Sequence, residues 1–419
     1  MKKHILALLF FSIVLVGSRA QLAESAKPDL SDDAPVVQTD TLRVPFDATE
    51  ADIHRADVAL RLQKVLNKAD AGRCLVSMQV FDLTDSCYVF SHQPYQTMRP
   101  ASNQKIITAV TALSVIGSEY QLVTPLRLSG DVVGKSLLGN VYLRGAFDPL
   151  LSAADLKSLA ASVHEAGVDT VCGDLVFDIS MKDTLRAGWG WCWDDDNPVL
   201  SPLLMEGGKC YDAMFPALLQ QAGVTVLGKV CYSAAPADAR QLSEIRHKLT
   251  DVLRPMMKDS DNQMAEVLFY HTAASKGKPY ASRKDAVAFT EQIMKSCGLA
   301  PADYIVADGS GLSLYNYTTA DAMLTLLRYA YQNEQIYSAL LQSLPIAAVD
   351  GTLSKRMKGT VAASRVQAKT GTVKGVSTLS GYADAADGHR YAFSILVSGT
   401  LSSKPARDLQ DSLCVEMCR

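Results

Sequence analysis

The sequence predicts an α+β protein, one antiparallel sheet flanked by helices, with a smaller β-rich module inserted part-way along the chain. Three observations carry this. Strand-like runs at residues 74–92 are answered by three more between 364 and 399, so both ends of the chain contribute to one sheet. Long stretches with apolar residues at helical spacing lie between them. From about 125 to 240 the texture changes to short glycine-punctuated strands such as "GNVYLRG" and "GDLVFD", which sets that segment apart. With 419 residues, 48% of them hydrophobic and 20% charged, the chain can fill two or more cores.

The elements follow in order. Met1-Lys2-Lys3-His4 is basic, Ile5 to Gly17 is almost wholly apolar, and Ser18-Arg19-Ala20 offers small residues before Gln21, the pattern of a secretory signal peptide over 1–20. Its apolar run falls short of the roughly 20 residues that span a bilayer. Residues 21–47 are polar, with Asp29, Asp32 and Asp33 close together, and read as an extended arm. The first segment of the main domain, 48–124, then holds a helix over 48–70, a hairpin formed by "CLVSMQVFDL" and "CYVFSH", and an apolar helix that begins near Ser102. The insert occupies 125–243, with one clear helix at 153–166. The second main-domain segment, 244–419, carries four helices, then the strands "SRVQAKTGT", "VSTLSGYADA" and "RYAFSILVSG" with turn signals at Lys374-Gly375 and Asp387-Gly388, and a last helix from about 404.

Net charge is −3, which marks the chain for neither nucleic acid nor anionic membrane. Its 7 histidines lack metal-ligand spacing, and Asp194-Asp195-Asp196 lacks the glycine and distal glutamate of a calcium loop, so neither a catalytic metal nor a cofactor is expected. Nine cysteines suit an oxidising compartment, but an odd count leaves at least one thiol free or paired between chains. Any structural disulfide of the insert is expected to stay within it.

The chemistry starts at "RPASNQKIITAVTAL". Lys105 lies three residues after Ser102, on the same helical face and within reach of its hydroxyl. The surrounding Ile106, Ile107, Ala109, Val110, Ala112 and Leu113 make the helix a buried one, and a desolvated lysine becomes a plausible base. A second Ser-x-x-Lys match, Ser275 to Lys278, precedes a proline at a helix end and reads as surface. Ser260-Asp261-Asn262 links two helices. Lys369-Thr370-Gly371 lies on a strand, its glycine permitting close approach to the backbone. Asp308 to Ser313 reads equally as a site edge or as an ordinary glycine-rich turn. Ser-x-x-Lys, Ser-Asp-Asn and Lys-Thr-Gly in this order are the signature of penicillin-binding proteins and class A β-lactamases.

The sequence resembles the D-alanyl-D-alanine carboxypeptidase/endopeptidase group of low-molecular-mass penicillin-binding proteins, the class C type serine peptidases with an insertion between their first two motifs. The likeness runs through "LLGNVYLRGAFDPLL", "GWGWCWDDDNP", "DSDNQMAEVL", "DGSGLSLYN", "VDGTLSKRM" and "AKTGTVKGVSTLSGY", covering roughly residues 50 to 415. It departs at Gly145-Ala146-Phe147, where the family has a glycine-rich triplet, and in the shortened spacing of Ser102 and Ser260. The resemblance implies a serine β-lactamase/transpeptidase-like domain with the Ser-x-x-Lys helix at its centre. It implies Ser102 as nucleophile, Lys105 as base, Ser260 as proton relay and Asn262 as orienter. It implies Lys369, Thr370, Gly371 and Thr372 as the substrate-binding strand, with the backbone N–H groups of Ser102 and Thr372 as the oxyanion hole. The implied partners are peptidoglycan stem peptides ending in D-Ala-D-Ala or joined through D-Ala, with β-lactams as covalent inhibitors, in the periplasm or cell envelope. Two rival readings are a serine β-lactamase and a non-catalytic peptidoglycan-binding or β-lactam-sensing module. A Glu-x-x-x-Asn-type deacylation motif is missing, which disfavours the first; Lys105 and Lys369 are both retained, which disfavours the second.

Overall fold

The computed structural model describes residues 49–68 and 74–419. The expected signal peptide (1–20) and arm (21–47) lie outside the described residues. Helix α1 (Glu50–Lys68) leads to the hairpin β1 (Leu75–Asp82) and β2 (Cys87–His92), and a 3₁₀ turn at Ala101–Asn103 runs into α2 (Gln104–Val115). The insert contributes β3 (Gln121–Leu128), β4 (Val132–Val133), β5 (Ser136–Leu137), β6 (Val141–Arg144), α3 (Ala153–Glu165), β7 (Thr170–Val171) and β8 (Leu175–Asp178). It continues with β9 (Leu204–Met205), β10 (Lys209–Cys210), α4 (Phe215–Gln221), β11 (Thr225–Val226), β12 (Val230–Tyr232) and β13 (Arg240–Lys248). The chain returns through α5 (Leu249–Lys258), α6 (Asn262–Ala274), α7 (Arg283–Ser296), α8 (Ala320–Tyr331) and α9 (Glu334–Ser343). It closes with β14 (Val366–Val373), β15 (Val376–Asp384), β16 (Arg390–Ser398) and α10 (Ser403–Met417).

The main sheet has the order β14-β15-β16-β1-β2, every pair antiparallel, so the first hairpin and the last three strands do share one sheet. Leu75 pairs with Ser398 and Asp82 with Tyr391. Alternation along β1 sends Val76, Met78 and Val80 into a core with α1 and α10, and Phe81 into a second core with the helices on the other face. In α1, Val58, Leu62 and Leu66 recur at helical spacing and are buried against that first core. Each such side chain contributes about 1.5–3 kcal/mol.

Helix α2 is buried on every side from Gln104 to Leu113. It packs against α6, α7, α8 and α9, as expected of an uninterrupted apolar run. The insert is a mixed rather than an antiparallel structure: a five-stranded sheet of order β12-β8-β6-β3-β13, in which β6 and β12 both run parallel to β8, with α3 as the crossover. A Ser152–Asp155 capping box starts α3. The insert core gathers Leu126, Leu143, Leu159, Phe177, Phe215 and Leu219. Its four cysteines, Cys172, Cys192, Cys210 and Cys231, are free thiols. Strands β3 and β13 pair from Gln121↔Lys248 to Leu128↔Arg240, so the chain enters and leaves the insert through one antiparallel ribbon.

Candidate active site

Ser102 sits in the 3₁₀ turn and Lys105 in the first turn of α2. The lysine is fully buried, because the helix that carries it is central. Lys105 Nζ lies 3.1 Å from Ser102 Oγ and donates to Asn262 Oδ1 and Ser310 O, both at 2.7 Å. Burial lowers its pKa to about 8, against the opposing pull of Asp308, Glu266 and Asp261. The first two motifs therefore meet at one nitrogen.

Ser260 lies in the link between α5 and α6 with φ +64°, a left-handed conformation that costs a non-glycine residue of order 1–3 kcal/mol. Asp261 next to it caps α6 by accepting from the Met264 N–H. Ser260 Oγ accepts from Lys369 Nζ at 2.8 Å, and the same ammonium donates to Thr370 O at 2.7 Å. Lys369 is also fully buried, and its pKa falls well below the usual lysine value through burial first and the charge of Lys105 second. Motif three thus joins motif two through Ser260, as Lys105 joins motif one to Asn262.

Strand β14 passes directly over the start of α2. A Cβ built on Gly371 would stand 3.0 Å from Ser102 N and collide with Thr378 Oγ1, so only glycine fits there. Thr372 follows at the exposed end of that strand. The backbone N–H groups of Ser102 and Thr372 belong to these two apposed segments. Beside them a cavity of about 430 Å³ is lined by Thr352, Lys355, Arg356, Thr370, Thr372 and Arg407. Of its basic side chains, Arg356 is already paired with Asp411. A larger cavity, about 810 Å³, lies in the insert by Asp183, Arg186 and Asp212 and holds none of the motif residues. Ser275 ends α6, and Lys278 is exposed in an ion pair with Asp285, so the second Ser-x-x-Lys match is surface.

The Asp308–Ser313 segment is part of the site. Ser310 supplies a carbonyl to Lys105, and Gly311, at φ +82°, packs so closely on Ala101 that a Cβ would run into its carbonyl. Two buried carboxyl groups that carry no motif support this loop. Asp308 accepts from the N–H groups of Gly311 and Ser313 and from Trp191 Nε1 at 2.8 Å. Glu266, on α6, accepts from the N–H groups of Gly309 and Ser310. Burial, reinforced by Asp308, raises the Glu266 pKa to about 8. Thr352 is a further unheralded neighbour, its Oγ1 accepting from Thr370 Oγ1 at 2.8 Å. The insert reaches the site through Trp191, through Gly190, which packs against Ser313, and through Val199, whose N–H and carbonyl are both bonded by the side chain of Gln263 beside Asn262.

A five-stranded antiparallel sheet backed by a buried helix that opens on Ser-x-x-Lys defines the class as a transpeptidase-like serine enzyme. Comparison with known proteins narrows the class. The chain belongs to the D-Ala-D-Ala carboxypeptidase 3 (S13) family, whose family model matches residues 58–210 and 205–417. It is 28% identical over 437 residues to the D-alanyl-D-alanine carboxypeptidase DacB of Haemophilus influenzae, covering 84% of this chain and 89% of that protein. It is also 28% identical to the D-alanyl-D-alanine carboxypeptidase of Actinomadura sp. (strain R39), over 81% of this chain and 80% of that one. Among solved structures it shares the fold of penicillin binding protein 4 (dacB) from Haemophilus influenzae, with TM-score 0.77, 24% identity, and coverage of 85% of this chain and 99% of the other. A complex of that protein with a β-lactam matches with TM-score 0.73.

Proposed function

We propose that the chain is an exported serine DD-peptidase that acts on peptidoglycan stem peptides, as a D-Ala-D-Ala carboxypeptidase and/or a DD-endopeptidase, through an acyl-enzyme on Ser102. The observation that carries this reading is the 3.1 Å approach of the buried Lys105 Nζ to Ser102 Oγ, with the pKa of that lysine lowered by burial. Two carbonyl partners hold two protons of Lys105, so its neutral amine turns the lone pair toward the serine hydroxyl and accepts the proton as Oγ attacks the D-Ala carbonyl. The N–H groups of Ser102 and Thr372 bind the developing oxyanion, where one donor is typically worth about 3–4 kcal/mol. Ser260, held by Lys369, relays a proton: its hydroxyl proton goes to the leaving amine, and it receives in return the one that Lys105 took from Ser102. Lys369, Thr370 and Thr372 hold the terminal carboxylate, whose charge restores the ammonium form that burial disfavours. D-Alanine leaves, water enters the space it vacates, and hydrolysis frees the enzyme. Terminal D-Ala removal and cleavage of a D-Ala cross-link follow the same steps. No described helix is long and apolar enough to cross a membrane. The secretory pattern of residues 1–20 supports export to the periplasm or cell envelope.

Penicillin attaches by the same route, but its leaving group stays tethered in the site. Turnover of a suitable D-Ala-D-Ala peptide on the order of 1 s⁻¹ or faster is expected, with penicillin released at least about a thousandfold more slowly. Comparable turnover of the two on one preparation would make the protein a β-lactamase. Attachment of penicillin without peptide turnover would make it a sensor. A digest of purified cross-linked peptidoglycan, read by mass, separates trimming from cross-link cleavage.

A further inference from the structure

Among the described residues, one cluster of metal-ligating side chains lies outside the site and has no part in the acyl transfer proposed above. His54 on α1, Asp82 at the end of β1 and His389 just before β16 bring ligand atoms within 4.8 Å of one another. The two imidazoles stack, with ring centres 4.1 Å apart and planes 17° from parallel. His389 Nδ1 is 2.7 Å from Asp82 Oδ2 and 3.9 Å from Asp85 Oδ2, while His54 Nδ1 is 3.5 Å from Asp387 Oδ2. Three carboxylates thus face two imidazoles, and Arg55, the cation on the same turn of α1, is paired with Asp52.

The outer atoms are already engaged. His54 Nε2 meets the Tyr391 hydroxyl at 2.8 Å, and Asp82 Oδ1 accepts from the N–H groups of Thr84 and Asp85. Metal ligands are oriented in this way by an outer ring of hydrogen bonds. Asp82 shares the face of Val76, Met78 and Val80, which packs on α1 and α10, away from α2.

We propose that His54, Asp82 and His389, with Asp387 as fourth ligand, form a structural Zn²⁺ site that ties α1 to the main sheet. Two imidazole nitrogens and two carboxylate oxygens are a set that Zn²⁺ accepts in tetrahedral geometry. Bonds of about 2.0–2.2 Å place neighbouring ligand atoms about 3.3 Å apart, so His54, Asp82 and His389 must draw together by side-chain rotation, and Asp387 must swing in from its exposed turn, 3.5 Å from His54 Nδ1. Both imidazoles bind neutral through Nδ1. The metal takes the position of the proton shared by His389 Nδ1 and Asp82, and that proton passes to solvent. The proposal is independent of the peptidase reading.

The test uses the full chain, stripped with a chelator and with accessible thiols alkylated, titrated with zinc chloride alone by calorimetry and by thermal unfolding. One Zn²⁺ per chain and an unfolding midpoint that rises with zinc are expected. The double variant His54→Gln/His389→Gln loses both, and Tyr391→Phe, which leaves the ligands in place, weakens binding about 10–100-fold. Less than one equivalent bound by the wild type, or unchanged binding in the double variant, overturns the proposal. Should the double variant not fold, Asp387→Asn on the exposed turn decides: weaker binding supports the site, and unchanged affinity overturns it.

Discussion

Lys105 has two partners that can only accept, Asn262 Oδ1 and Ser310 O, and one that can also donate, Ser102 Oγ. Its pKa is lowered to about 8, so the base form is a minority at neutral pH and grows as pH rises. Acylation of Ser102, followed as covalent attachment of a labelled penicillin, is therefore expected to climb with pH through about 8 and then level; a profile already level well below that would place the base elsewhere. Lys105→Ala should lose acylation by several orders of magnitude while remaining folded, and Ser102→Ala should take up no label. Glu266 gives a second residue-level expectation. Its raised pKa makes the neutral form dominant near pH 7, so Glu266→Gln keeps an acceptor for Gly309 and Ser310 and should unfold within about 0.5 kcal/mol of wild type. Glu266→Ala leaves two buried N–H groups unpaired, at about 1–3 kcal/mol each, and should also slow acylation as the Ser310 carbonyl shifts. Equal stability of the two variants by urea unfolding would refute this. The Ser102–Lys105 pair was legible because a helix fixes the i, i+3 geometry without help from the rest of the chain. Asp308 was flagged only as part of a segment that read equally as a site edge or a turn, and Glu266 was not flagged, since its partners are backbone groups of a distant loop; the one trace was a charged residue inside the apolar run "MAEVLFYH".

Among the elements, α1 and α2 were readable for opposite reasons, one from a single apolar stripe and the other from apolar residues all round. The stripe makes a direct prediction. Leu62 is fully buried and Leu60 is 41% exposed, so Leu62→Ala should cost about 2–5 kcal/mol in denaturant unfolding and Leu60→Ala about 0.5 or less. Similar losses would mean that α1 does not pack as described. Two helices escaped the sequence reading. Helix α4 has only 7 residues, too few to establish a period, and α9 lies beyond Asn333, where the sequence reading ended the helical run of α8. The parallel pairing of β6 with β8 was equally hidden, because strands of 4 residues carry no sign of their partner's direction.

At the scale of the molecule, the insert is fastened to the catalytic half by Trp191 on Asp308 and by Val199 on Gln263. Trp191→Phe keeps most of the packing and removes one donor from a buried carboxylate, so it should cost about 1–3 kcal/mol and increase protease cleavage in the 186–197 segment; unchanged cleavage would mean that the bond does not hold that loop. The ribbon of β3 and β13 has a consequence for the order of folding. Leu75 must find Ser398 across most of the chain, and an unstructured excursion between Gln121 and Lys248 adds about 0.4 kcal/mol of loop-closure entropy to that contact, while the ribbon closes a shorter loop than the sheet does. If the ribbon zips first, those two residues become neighbours and the excursion no longer counts in the search. The loop that the sheet must still close is then shorter. Pulse-labelling hydrogen exchange during refolding should therefore protect the amides of β3 and β13 before those of β1 and β16, and the reverse order would mean that the sheet closes around a still-unfolded insert.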